Sequence, residues 1–121
     1  MAPGGGEVKI QTTHLHLTGE QLKDSILDLA LRLGYRRAAF RPGRLQDGSW
    51  RTPVQGDKGF PDVVLAKAGQ PLLLIECKGD KEPMSPAQEA WRIVLGDVPG
   101  ITYILARPDD WWDGRIESEL R

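Results

Sequence analysis

The chain has 121 residues, 40% of them hydrophobic, and a formal net charge of −1. That length suits one domain with one core, and no apolar stretch approaches the ~18–20 residues that a membrane span requires. The single cysteine, Cys77, excludes an internal disulfide and a Cys-x-x-Cys metal site, and it fits a reducing cytoplasm. Charge is unevenly spread: residues 1–58 carry nine Lys/Arg against six Asp/Glu, whereas residues 59–121 carry seven against eleven.

Residues 1–17 read as a flexible leader. Met1–Glu7 lacks the basic and apolar segments of a secretion signal, and Val8–Leu17 admits extended structure. His14 and His16 lie there without a carboxylate nearby in sequence and are assigned no role. Thr18 followed by Gln21 has capping-box spacing. Leu22, Ile26, Leu29, Ala30 and Leu33 then recur at helical intervals up to Gly34. A helix over Gly19–Leu33 is expected, with Glu20, Lys23, Asp24 and Arg32 on its polar side. Arg36–Phe40 reads as a short strand.

Residues 41–58 are rich in Pro, Gly, Arg and Asp, with Trp50 among them. A loop this long in a compact domain is functional or mobile. From Arg36 to Lys58, six cations (Arg36, Arg37, Arg41, Arg44, Arg51 and Lys58) face only Asp47 and Asp57. Such a strip can grip phosphates on a nearly neutral protein, although a solvated loop is the simpler reading of charge alone.

Two apolar runs follow, Gly59–Leu65 and Pro71–Lys78, separated by the turn-prone Lys67-Ala68-Gly69-Gln70. They read as a β-hairpin. Leu72–Ile75 is apolar on both faces, as in a central strand. Ser85 with Pro86 starts a second helix running to Leu95, with Ala87, Trp91 and Val94/Leu95 inward. Pro99-Gly100 breaks the chain, Ile101–Ala106 is a further strand, and a last helix runs from Pro108 to Leu120. Trp111 and Trp112 cannot both face inward on it, which leaves one for a subunit interface. A strand-helix-strand crossover after the hairpin makes the final strand parallel to a sheet neighbour. The expected class is α/β: a mixed central sheet flanked by helices, with 18–121 as one domain.

A turn centred on Ala68-Gly69 sets Asp62 opposite Glu76, with Cβ atoms ~5 Å apart on one face, and Lys78 joins that face. Taken singly, Pro-Asp fits a turn and Glu-x-Lys fits a surface ion pair. The central character of the strand, the cross-strand register and the nearby helix bearing Gln88 favour a site. Two carboxylates on apolar strands repel each other and resist desolvation, and a divalent cation relieves both. An all-oxygen pair suits Mg2+ or Mn2+, and the backbone carbonyl of Cys77 adds an oxygen. Lys78 is placed to orient an attacking water or to stabilise developing negative charge. The chemistry is phosphodiester hydrolysis. No Ser or Cys has a placed His partner for acyl transfer, and no P-loop is present.

Gly59-Phe60-Pro61-Asp62 followed by Glu76-Cys77-Lys78 resembles the PD-(D/E)xK nuclease signature. Ser85-Pro86-Ala87-Gln88-Glu89-Ala90-Trp91, Arg107-Pro108-Asp109-Asp110-Trp111 and Arg51–Asp57 are similar to the VRR-NUC family, whose small stand-alone members occur in bacteriophages and bacteria. The resemblance covers roughly residues 18–120. It implies a restriction-endonuclease-like αβββαβ core and a metal-dependent DNA nuclease. It further implies similarity to Holliday junction resolvases that act as homodimers.

By that resemblance Asp62 and Glu76 hold the metal, Lys78 serves the water, and Gln88 supports the site or the phosphate. The family's helix-one glutamate falls on Gly19 in this chain. Glu20, the candidate further ligand, comes one residue late, ~100° around the helix. Arg41, Arg44, Arg51, Gln55 and Lys58 become candidate DNA contacts, and Trp50 either stacks on a base or, preferably, anchors the loop. The expected activity is endonucleolytic cleavage of branched DNA. A nicking or end-trimming nuclease, and a DNA-binding accessory that does not cut, are the alternatives.

Overall fold

A computed structural model describes residues 16–121 except 41, 42, 45, 49 and 52–54, and at 43, 44, 50 and 51 the backbone alone. The leader up to residue 15, with His14, lies outside the described residues.

Helix α1 spans Gly19–Arg32. Thr18 accepts the backbone N–H of Gln21, and the Gln21 side chain accepts that of Thr18, so both ends of the capping box are made. Gly34, at φ 88°, turns the chain out of the helix, and the Tyr35 N–H closes back on the Ala30 carbonyl. One expectation fails here. Its charge sets Lys23 on the polar side, yet it is only 4% exposed. It shares the inward stripe with Ile26 and Ala30, at i+3 and i+7.

Strand β1 is Arg36–Ala39, and β4 and β5 are Val63–Ala66 and Leu72–Cys77. Between β1 and β4 the expected plain loop carries a two-residue ladder, β2 (Gly43–Arg44) against β3 (Trp50–Arg51). Helix α2 is Pro86–Leu95 and strand β6 is Ile101–Ala106. The main sheet has the order β1-β4-β5-β6, antiparallel except for the parallel β5–β6 pair. A crossover through α2 requires that parallel pair. Val63 lies opposite Ile75 and Leu65 opposite Leu73, the register that a turn at Ala68-Gly69 dictates. β1 lies at an edge with Arg36 and Arg37 exposed, and charge there discourages pairing with another chain.

The core fills the space between α1 and one face of the sheet. Leu22, Ile26 and Ala30 meet Val63, Leu65, Leu73, Ile75 and Ala106 there. The single expected C-terminal helix is two helices, α3 (Pro108–Trp112) and α4 (Arg115–Leu120). Gly114, at φ 80°, separates them. The break lets Ile116 and Leu120 enter the core and brings the Leu120 carbonyl to the buried Tyr35 hydroxyl at 2.8 Å. Trp111 packs against this core.

The opposite face is covered by α2, but less tightly. Leu95 is buried, whereas Val94, assigned inward beside it, is exposed. Trp91 is half-buried rather than in the main core. It stands edge-on to Phe60 at 5.0 Å and donates its Nε1–H to the Asp57 carbonyl at 3.2 Å.

Gly59 sets how closely the chain before β4 approaches α2. Its φ is 93°, and a Cβ there would lie 2.5–2.7 Å from backbone atoms of Ala87 and Gln88. Gly69 has a similar φ of 81° with nothing nearby. Gly59→Ala should therefore destabilise the fold by at least ~2 kcal/mol, the sum of left-handed strain and overpacking. Gly69→Ala should cost about 1 kcal/mol, from strain alone. Urea unfolding of the two variants measures the difference.

Candidate active site

Asp62, Glu76, Lys78 and Gln88 line one cleft of about 220 Å³ together with Gly19, Glu20, Lys23, Cys77 and Glu82. Its walls come from the start of α1, the approach to β4, the end of β5, the loop after it and the first turn of α2. The hairpin register carries Asp62 and Glu76 to the same side.

Each carboxylate is held by its own clamp. Pro61 is fully buried, and the Phe40 N–H donates to the Asp62 carbonyl at 2.9 Å, extending the β1–β4 ladder by one rung. The Asp62 side chain turns across the hairpin, where its Oδ2 accepts the Cys77 N–H at 2.9 Å. Glu76 is 2% exposed, and its Oε2 accepts the Gln88 Nε2–H at 3.1 Å. The Gln88 Oε1 meanwhile accepts the Ser85 N–H at 2.9 Å, completing the cap of α2. One amide thus starts the helix and holds the carboxylate. A glutamate would serve the cap equally well but would set a like charge against Glu76. The Glu76 Oε1 is buried with no hydrogen-bond partner among the described residues.

Lys78 is 5% exposed. Its Nζ lies 3.8 Å from the Glu76 Oε2 and 3.6 Å from the Glu82 Oε2. Its backbone N–H donates to the Ala106 carbonyl at 2.9 Å, which fixes the end of β5 against β6. The buried Lys23 is a second cation at the cleft. Its Nζ lies 2.8 Å from the Glu20 Oε2 and donates to the Phe40 carbonyl at 3.1 Å. Glu20 therefore reaches the cleft but is engaged by Lys23. Arg107, at the end of β6, donates to the carbonyls of Gly79 at 2.7 Å and Glu82 at 2.9 Å, pinning the loop after Lys78.

Burial, with the Asp62 charge next in weight, pushes the Glu76 carboxyl up to about 8. Burial raises Asp62 as well, opposed first by the Cys77 N–H and then by the Lys23 charge. Burial likewise drives the Cys77 thiol far above its ordinary range, so it is no nucleophile. Among the described residues no three His, Cys, Asp or Glu side chains are already gathered as a metal-binding group. Asp62, Glu76 and the Cys77 carbonyl nevertheless form the all-oxygen set that hard divalent cations favour, and the unpartnered Glu76 oxygen fits such an ion.

Of the candidate DNA contacts, Gln55 and Lys58 are exposed on the approach to Gly59. Arg41, with the side chains of Arg44, Arg51 and Trp50, lies outside the described residues. Sequence reasoning missed Lys23, Glu82 and Arg107 as site residues. The inward spacing of Lys23 with Ile26 and Ala30 is a readable signal, whereas nothing local marks Glu82, and the Arg107–Trp111 string marks Arg107 for resemblance without giving it a role in the site.

A mixed sheet flanked by helices, with Pro-Asp and Glu-x-Lys meeting at one cleft, defines a nuclease domain of the PD-(D/E)xK type. The family model described as VRR-NUC domain matches residues 43–107, more than half of the chain. The chain belongs to the VRR-NUC family. Comparisons with curated proteins and with solved structures returned no match. Among the described residues no helix is long and apolar enough to cross a membrane.

Both carboxyls have folded-state pKa values above their ordinary ones, so their charged forms are disfavoured by folding. The metal-free protein should be most stable below pH 3.8, the lower of the two ordinary values, as far as these groups are concerned. It should lose that contribution as pH rises toward 8, by an amount on the order of a few kcal/mol. Thermal melting in EDTA between pH 5 and 8.5 should show the decline, and Glu76→Gln should flatten it.

Proposed function

We propose that the protein is a divalent-metal-dependent DNA endonuclease acting on branched DNA. The observation that carries this reading is the pairing of Asp62 with the buried Glu76, whose Oε1 has no hydrogen-bond partner among the described residues, beside a buried lysine. A fold keeps a buried carboxylate beside a second, half-buried one only at a cost in stability that one hydrogen bond to each offsets in part, and a cation held between them would remove the rest. Asp62, Glu76 and the Cys77 carbonyl would hold Mg2+ or Mn2+. When bound, the ion supplies charge screening at the phosphate and acidifies water.

The chain's own groups do the rest. The Lys78 ammonium orients water and stabilises negative charge on the phosphoryl oxygens as the water oxygen bonds to phosphorus, one P–O ester bond breaks and the proton lost by the water is balanced by one gained at the departing oxygen. Gln88 keeps Glu76 turned into the cleft, and the Cys77 N–H does the same for Asp62. Lys58 and Gln55, with Arg41, Arg44 and Arg51 of the basic loop, would follow the DNA backbone. Each chain brings one such site, so a symmetric four-way junction needs two copies. Exposed Ile93 and Val94 on α2 are apolar surface of the kind that homodimers cover. The reading without cleavage draws on Gly19 standing where a helix-one carboxylate is expected.

Incubation of supercoiled plasmid, linear duplex and four-way junction with Mg2+, Mn2+ or EDTA tests the reading. Junction cleavage that needs a divalent ion is expected; DNA binding without cleavage under any of these ions would sink it. Asp62→Asn and Lys78→Ala should each lower the single-turnover rate by roughly 100-fold or more, a loss of at least ~2.7 kcal/mol of transition-state stabilisation. Their circular dichroism should remain that of the parent protein. Gln88→Glu should preserve helix content but reduce the rate, because it keeps the capping acceptor and loses the donor to Glu76.

A further inference from the structure

Helix α1 opens on Gly19, and that glycine faces the cleft. A Cβ built there would lie 3.2 Å from the Cys77 carbonyl oxygen and 3.3 Å from the Glu82 Oε1. The space that a side chain at position 19 would enter is thus bordered by a carboxylate arriving from elsewhere, the loop after β5. Rested on the metal-dependent reading above, we infer that Glu82 is the third carboxylate of the cation site, reaching it from the β5–α2 loop beside the bare start of α1.

Three observations support the assignment. The Glu82 side chain is delivered by a pinned loop: Arg107 holds the Glu82 and Gly79 carbonyls, and the Gly79 N–H donates to the Glu82 Oε1 at 2.9 Å. Lys78 lies between Glu82 and Glu76, 3.6 and 3.8 Å from their oxygens, so both carboxylates already flank one positive charge. The buried Glu76 Oε1, unpartnered, is the independent sign that the cleft is built for a ligand. Glu82 itself is half exposed, at 51% of its side chain, and retains the rotamer freedom to turn from the Gly79 N–H toward an ion. Glu20, the carboxylate next to Gly19, is held more closely by its lysine, 2.8 Å from the Lys23 Nζ against 3.6 Å between Glu82 and Lys78.

The test is Mn2+ binding to the full chain by titration calorimetry, with thermal melting in EDTA as the control for folding. Glu82→Gln keeps an oxygen to accept the Gly79 N–H and removes only the charge. It should weaken Mn2+ binding roughly 10- to 100-fold and leave the EDTA melting temperature unchanged or higher. Glu82→Asp should fall between the two. Glu89→Gln, which removes an acid outside the cleft, should bind as the parent does. If Glu82→Gln binds Mn2+ like the parent while Asp62→Asn does not bind, the role of Glu82 is overturned and the metal-dependent reading stands. If binding weakens only in step with a fall in EDTA melting temperature, Glu82 is a structural brace and the inference fails. If the parent protein binds no Mn2+, both readings fall together.

Discussion

The arrangement depends on one electrostatic conflict: Asp62 and Glu76 are brought to the same cleft with Glu76 almost fully buried. Burial penalises the Glu76 charge first and the neighbouring Asp62 charge adds to it, which pushes the Glu76 carboxyl up to about 8. The surrounding structure contains this conflict rather than abolishing it. The Cys77 N–H and Gln88 amide supply one hydrogen bond to each carboxylate, and Lys78 and Lys23 supply positive charge from two sides. None of these partners reaches the Glu76 Oε1.

Much of the architecture serves to hold those partners in place. Gly59 lets the backbone before Asp62 press against the first turn of α2, and that turn carries Gln88. Phe60 sits between Phe40 and Trp91, edge-on to both, tying the β1 end to α2 across the same segment. On the other side Arg107 binds the loop that follows Lys78. The site therefore rests on contacts between segments far apart in sequence, although its two best-marked motifs lie only fourteen positions apart.

That distribution explains what was legible beforehand. The hairpin register could be read because a short turn fixes pairing, so the facing of Asp62 and Glu76 followed from counting alone. The caps at Thr18 and Ser85 could be read because capping is local. The C-terminal helix was misjudged because its break at Gly114 answers a tertiary demand, the seating of Ile116 and Leu120 in the core. Lys23 was misjudged because charge was weighed above spacing; its stem enters the core stripe while its amine meets Glu20 and Phe40. Glu82 and Arg107 were invisible as site residues because their meeting, 25 residues apart, is made only when β6 pairs with β5.

Arg107 and Ala106 carry a consequence for how the charges of the cleft are supported. The two carboxylates are brought together by a hairpin of residues close in sequence, whose register its short turn fixes. The lysine between Glu76 and Glu82 is different: its backbone and its following loop are tied down by the last strand. Removing the residues after Ala106 would take away the Arg107 tether, and Ile116 and Leu120 from the core with it, while the segments that carry Asp62 and Glu76 stay in the chain. The positive charge at the cleft is thus its most remotely supported part, set in place only where β6 lies beside β5.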